Sequence, residues 1–330
     1  MSRWSVSLTA LSALVGVGAL AAGHNDGWTQ PARYVFEYRV DLAKLATTSP
    51  ERLRLWLPYP AQTVDQKVLV AKIDSPWPYQ VNQDSFGNQI VYIEGHGVPA
   101  SGVTMRFEIE RRPSGGVRRA DVAPNTPLDP QRYVQPNQLI PLNGLIRQLA
   151  EQESRGLTTD AEKVRTFYGY IVRNLRYNKE GTGWGRGDAI WACTNKRGNC
   201  TDFHSLFIGM ARSQGIPARF IIGFPIPADA PAGVIPGYHC WAEFYDQTSG
   251  WVPLDASEAN KSGWFDAYFG WLPNDRIQFT TGRDLVLEPP QQGPPLNYFV
   301  YPYAEADGTP VTDLPTTFRF ERLPLPPREL

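Results

Sequence analysis

The sequence predicts an α+β protein in which a small antiparallel β-sandwich precedes a mixed domain of helices and sheet. Three observations carry this. Apolar residues recur with a strand period over residues 34–112, with a helical period over 160–215, and with a strand period again from residue 219. A chain of 330 residues also exceeds one ordinary core, which favours two domains.

In order along the chain, Met1-Ser2-Arg3 is positively charged, and an apolar run from Leu8 to Leu20 ends on Ala19-Leu20-Ala21. This is the layout of a signal peptide over residues 1–22. The run is shorter than the roughly 20 residues a membrane span needs, so no span is expected after cleavage. No cysteine follows it, which argues against a lipoprotein, and a periplasmic or secreted location is expected.

Residues 27–112 read as the sandwich. Val103, Met105, Phe107 and Ile109 alternate with polar neighbours, and Tyr34, Phe36, Tyr38 and Val40 share one parity, as do Leu53, Leu55 and Leu57. Residues 113–137 have the Pro, Gly, Asn and Asp content of a linker. The second domain, 138–283, opens with a capping box at Thr159-Asp160-Ala161-Glu162, followed by Val164, Tyr168, Ile171 and Leu175 at helical spacing. A second helix starts at Cys200, with Phe203, Leu206, Phe207 and Met210 as its apolar stripe. Strands over 219–224, 239–245 and 251–255 complete the domain, and 284–330 reads as a Pro-rich extension with one hairpin at Asp307-Gly308.

Composition bounds the function. With 32 basic and 33 acidic side chains there is no field to hold nucleic acid, and 42% hydrophobic content is that of an ordinary globular protein. The three cysteines, Cys193, Cys200 and Cys240, are an odd number, so at least one has no partner within the chain.

Cys200 is the first candidate for chemistry. At a helix start, unpaired N–H groups and the helix dipole favour thiolate over thiol, and the Cys200 N–H can donate to an oxyanion. Gly198 offers a substrate close approach to the sulfur. The competing reading is a buried structural cysteine. Of four histidines, His24 and His96 belong to exposed regions, and His204 shares the apolar helix stripe as a core histidine. His239 begins a strand and remains as the base. Asp255 ends the next strand, where an aspartate often only forms a turn. A hairpin register that sets Glu243 opposite Pro253 puts His239 and Asp255 on one face, within reach of a hydrogen bond.

These residues carry a resemblance. The run Arg197-Gly198-Asn199-Cys200-Thr201-Asp202-Phe203-His204, with Gly215-Ile216-Pro217-Ala218-Arg219 after it, resembles the nucleophile helix and following strand of the transglutaminase-like superfamily. Tyr238-His239-Cys240-Trp241-Ala242-Glu243-Phe244 resembles its histidine strand, and Trp251-Val252-Pro253-Leu254-Asp255 its aspartate strand. The resemblance covers residues 158–283. It implies a papain-like α+β core with Cys200 as nucleophile, His239 as base and Asp255 orienting that base. The family's activities imply a thiol-dependent hydrolase or acyltransferase acting on amide bonds of peptides or proteins, without a cofactor. It also contains inactive members, so a binding or scaffolding module of the cell envelope is the alternative. Trp184 or Trp191 stands in the region where the family places a second oxyanion donor. The family's animal cross-linkers use calcium, but no EF-hand-like loop occurs here.

A Cys193–Cys240 disulfide would fasten the segment before the nucleophile. A zinc site from Cys193, Cys200, His204 and Cys240 lacks the close cysteine pair of structural zinc sites, so no metal is expected. Trp184, Trp191, Trp241, Trp264 and Trp271 are candidates to wall a peptide groove.

Overall fold

A computed structural model describes residues 28–43, 45, 50–97, 101–115 and 129–325; the expected signal peptide and residues 116–128 of the expected linker lie outside them. Strands β1 (Ala32–Val40), β2 (Leu53–Pro58), β3 (Gln66–Asp74), β4 (Tyr79–Gln83), β5 (Gln89–Gly95), β6 (Val103–Arg111) and the short β7 (Ser114–Gly115) come first. Helices α1 (Gly144–Glu153) and α2 (Asp160–Asn174) follow, then β8 (Arg176–Tyr177), α3 (Ala189–Asn195), β9 (Arg197–Gly198) and α4 (Cys200–Ser213). After these come β10 (Ala218–Pro225), β11 (Ala232–Ile235), β12 (His239–Asp246), β13 (Gly250–Leu254), α5 (Ala256–Ser262), β14 (Trp271–Leu272) and β15 (Arg276–Thr281). Strands β16 (Tyr303–Ala306), β17 (Thr309–Val311) and β18 (Thr316–Leu323) are the last of the described residues. The fold is the mixed α+β arrangement the sequence predicts.

Two five-stranded antiparallel sheets, ordered β11-β18-β1-β6-β3 and β17-β16-β2-β5-β4, form the sheet-rich part. The alternation read from the sequence fixes which face is inside. Tyr34, Phe36, Tyr38 and Val40 stand opposite Ile109, Phe107, Met105 and Val103, and all eight are buried. Leu53, Leu55 and Leu57 share that core, while Trp56 on the reverse face packs with Leu285, Leu287 and Phe299.

The C-terminal segment is therefore more than an extension. β18 pairs with β1, setting Phe318 opposite Tyr38 and Phe320 opposite Phe36, and β16 pairs with β2. Its Phe318 and Phe320, two apart and flanked by Arg319 and Glu321, follow the same period as β1 and β6. The hairpin of β16 and β17 turns at Asp307-Gly308.

The second unit wraps helix α4. Every residue from Cys200 to Arg212 is buried, because α1, α2, α3 and α5 surround the helix and the sheet β13-β12-β10-β15 covers its remaining side. The α2 capping box forms as a reciprocal pair, with Glu162 N–H donating to Thr159 at 3.2 Å and Thr159 N–H to Glu162 at 3.1 Å. In β10, Gly223 lies opposite His239 beside a register shift against β15. A Cβ at Gly223 would collide with the Ile277 carbonyl, so glycine is what lets β15 close on the site.

Phe224 joins the two units. Its ring lies 4.2 Å from that of Phe318, 5.1 Å from Phe36 and 5.1 Å from Phe279, and a single hydrophobic core runs through both units. Phe224→Ala should cost about 3–5 kcal/mol in urea unfolding, with one transition for the whole molecule. Two transitions, one of them unmoved by the substitution, would contradict a shared core.

Candidate active site

Cys200 is the first residue of α4, and its cap explains why the helix starts there. The Asn199 side chain accepts the Thr201 N–H at 2.9 Å, and Asp202 Oδ2 accepts the Asn199 N–H at 2.9 Å. The Asp202 carboxylate also accepts the N–H groups of Gly185 at 2.7 Å and Gly187 at 3.0 Å, which clamps the glycine-rich loop to the nucleophile helix. This corrects the reading of Gly198. Its φ is +148°, and a Cβ there would collide with Asp202, so the missing side chain makes room for that carboxylate.

His239 and Asp255 meet as the hairpin register requires. Glu243 pairs with Pro253, and His239 Nε2 lies 2.6 Å from Asp255 Oδ2. Cys200 lies near enough to this ring for each group to shift the ionisation of the other. Burial alone would lower the His239 pKa. The Asp255 carboxylate and the Cys200 sulfur outweigh it and push it up to about 10. For Cys200 burial acts in the opposite sense, yet hydrogen bonds from Cys240 and His239 and the imidazolium charge hold the thiol well below its usual range.

Asp255 satisfies two readings that the sequence sets against each other. It is the N-cap of α5: Oδ1 accepts the Glu258 N–H at 2.9 Å and the Ser257 hydroxyl at 2.8 Å. Its other oxygen takes His239 and also Arg276 Nη1 at 2.9 Å. Arg276 is a residue the sequence reading missed. It starts β15, beyond the last motif, and is itself buried, so its charge is committed to Asp255 and Asp275. Asp255 is held well below the usual carboxylate range: burial works against ionisation, and His239 and Arg276 overcome it.

His204 is buried one turn along α4. Its Nε2 accepts the Ala256 N–H at 3.1 Å, which places the ring proton on Nδ1, facing the Cys200 carbonyl and, at 3.8 Å, the Cys240 sulfur. Burial lowers its pKa and keeps the ring neutral. The 3.5 Å approach of Nε2 to Asp255 is thus a packing contact, since that nitrogen carries a lone pair.

The three cysteines are free, and Cys240 Sγ turns toward Thr201 at 3.7 Å rather than toward Cys193, which lies by Lys196. The four proposed zinc ligands do not converge. Among the described residues His239, Asp255 and Glu258 do place ligand atoms within 4.8 Å of one another, but Asp255 is bonded to His239 and Arg276, and Glu258 to Lys261. Trp184 gives its N–H to the Gly181 carbonyl at 3.0 Å, and Trp191 packs on Gly183. The tryptophans do not gather into a groove: Trp241 is core, and Trp264 packs on Trp28. His96 is exposed, with Nδ1 2.9 Å from the Glu51 carbonyl, while His24 lies outside the described residues.

Removing Arg276 would leave Asp255 with its charge buried and one partner fewer. Arg276→Met should lower stability by about 3–5 kcal/mol, read as a fall in Tm and in urea midpoint. An unchanged midpoint would show that the ion pair does not hold the carboxylate.

Comparison with known proteins agrees with this geometry. The family model of the transglutaminase-like superfamily matches residues 147–256, the stretch containing Cys200, His239 and Asp255. An uncharacterised protein of Haemophilus influenzae is 29% identical over 228 residues, 59% of this chain and 62% of that protein, so the chain spans less than two thirds of this relative. A crystal structure of a candidate cysteine protease from Cytophaga hutchinsonii superposes with a TM-score of 0.61 at 14% identity, covering 90% of this chain and 92% of that one. The periplasmic domain of TgpA from Pseudomonas aeruginosa gives a TM-score of 0.39 at 14% identity, over 72% of this chain and 94% of that one. The helix α4, the strand β12 and the strand β13 with Asp255 at its end thus lie in the segment, residues 147–256, that matches the transglutaminase-like superfamily.

Proposed function

We propose that this protein is a thiol-dependent hydrolase or acyltransferase acting on amide bonds of peptides or proteins, with Cys200, His239 and Asp255 as its catalytic residues. The observation that carries the reading is the 2.6 Å bond between His239 and Asp255, on a ring whose ionisation is coupled to the Cys200 sulfur. The Cys200 sulfur attacks the amide carbon, and the C–N bond breaks as imidazolium gives its proton to the leaving amine. A thioester on Cys200 and neutral His239 remain. His239 then takes a proton from water, whose oxygen displaces the sulfur to give a carboxylic acid, or from a primary amine, which gives a new amide. Asp255 fixes the imidazole tautomer and stabilises its charged form in both halves.

The shared fold with a candidate cysteine protease supports this class of reaction. The apolar N-terminal run supports work outside the cytoplasm, and no described helix is long and apolar enough to cross a membrane. We also propose that 27–112, completed by β11 and the C-terminal strands β16, β17 and β18, is the sandwich unit and that 138–283 supplies the catalytic unit.

Treatment with an electrophilic glutamine analogue or peptidyl chloromethyl ketone, read by mass spectrometry, tests the assignment. The label should sit on Cys200, disappear in Cys200→Ala and persist in His204→Gln. In Asp255→Asn labelling should slow by about ten- to a thousandfold, less than the loss in serine triads because sulfur is the better nucleophile. Label on Cys193 or Cys240, or an inert Cys200 in a folded protein, would favour the inactive binding module instead.

A further inference from the structure

Beside the nucleophile stands a group of tyrosines, two of them from the C-terminal segment. The Tyr238 hydroxyl accepts from Asn199 Nδ2 at 3.1 Å and lies 2.9 Å from Thr201 Oγ1, so it bonds both chain neighbours of Cys200. The Tyr298 ring is 5.6 Å from the Tyr238 ring. The Tyr301 ring stands edge-on at 5.9 Å from it. Tyr238 and Tyr298 are half-buried and Tyr301 is 39% exposed, so ring surface leads from the thiol outward to solvent.

The segment is held firmly. Arg283 Nε donates to the Asn297 carbonyl at 2.8 Å, while its Nη1 reaches Ser205 of α4 at 2.6 Å. Asn297 Nδ2 donates to the Arg186 carbonyl at 2.7 Å, and the Tyr38 hydroxyl to the Val300 carbonyl at 3.1 Å. The segment therefore moves with α4, and with it the position of the rings relative to Cys200. Arg283, the cation nearest Tyr298 in its effect, has its donors already used on protein oxygens. A ring stacks well on such a wall, whereas a carboxylate would lose water there without gaining a partner.

We propose that Tyr298 and Tyr301, supplied by residues outside the family match, determine specificity by binding a ring-bearing group next to the scissile amide. This rests on Cys200 being the nucleophile proposed above, but it adds a preference that the three catalytic residues do not carry.

Alkylation kinetics separate the two ideas. Chloroacetamide and N-phenethyl-chloroacetamide bear the same reactive carbon, and only the second carries a ring. Cys200 of the wild-type protein should react faster with the ring-bearing reagent. Tyr301→Ala should cut that advantage, taken as the ratio of the two rates within each protein, by roughly two- to tenfold, and Tyr301→Phe should keep it. Equal wild-type rates with both reagents, or an advantage that survives Tyr301→Ala and Tyr298→Ala, would overturn the wall while leaving the nucleophile in place. A Cys200 inert to both would overturn the nucleophile and, with it, the wall.

Discussion

The site depends on how one buried carboxylate is shared. Asp255 is fully enclosed, and an unpaired charge there would cost several kcal/mol. Its two oxygens instead take the Glu258 N–H, the Ser257 hydroxyl, the His239 ring and the Arg276 guanidinium. Each partner belongs to a different part of the fold. The N–H and hydroxyl start α5, the ring starts β12, and the guanidinium starts β15. Forming the charge therefore requires helix, hairpin and outer strand to be in place together.

The same sharing sets the chemistry. With Arg276 holding it ionised, Asp255 can support a charged imidazole, and the charged imidazole can support a thiolate on Cys200 although all three groups are buried. His204 lies against the same carboxylate but has its Nε2 lone pair committed to a backbone N–H, so it stays neutral and contributes packing. Two histidines near one aspartate are thus shifted in opposite directions, His239 upward beside the carboxylate and His204 downward with its Nε2 on a backbone N–H.

Much of this was legible in local sequence. The start of α4 follows from the Asn199 and Asp202 cap, and the strand pair follows from parity, with Glu243 opposite Pro253. The sandwich strands β1 and β6 are written in their alternation. What was not legible depends on contacts between distant segments. Nothing around Arg276 distinguishes a buried ion-pair arginine from one at a strand end. The tyrosines at 298 and 301 look like tail residues until Arg283 and Asn297 tie them to α4. β18 carries a strand period, but its partner is some 280 residues away, so its Pro-rich surroundings dominated the reading. Gly198 shows the same limit: local chemistry explains why glycine is allowed, and only the fold shows that Asp202 fills the space.

The central claim is that Cys200 is a thiolate at neutral pH because His239, held by Asp255, is charged. The most direct measurement is the ultraviolet absorbance of the thiolate, taken as the difference between the wild-type protein and Cys200→Ser and followed across pH. Both proteins also carry Cys240→Ser, because that thiol titrates together with Cys200, while Cys193 is common to both and cancels. The account predicts that the difference persists well below the ordinary thiol value of about 8.5, and that His239→Gln moves its onset upward. A difference that emerges only at about 8.5 or above, in both the wild-type and the His239→Gln backgrounds, would contradict it.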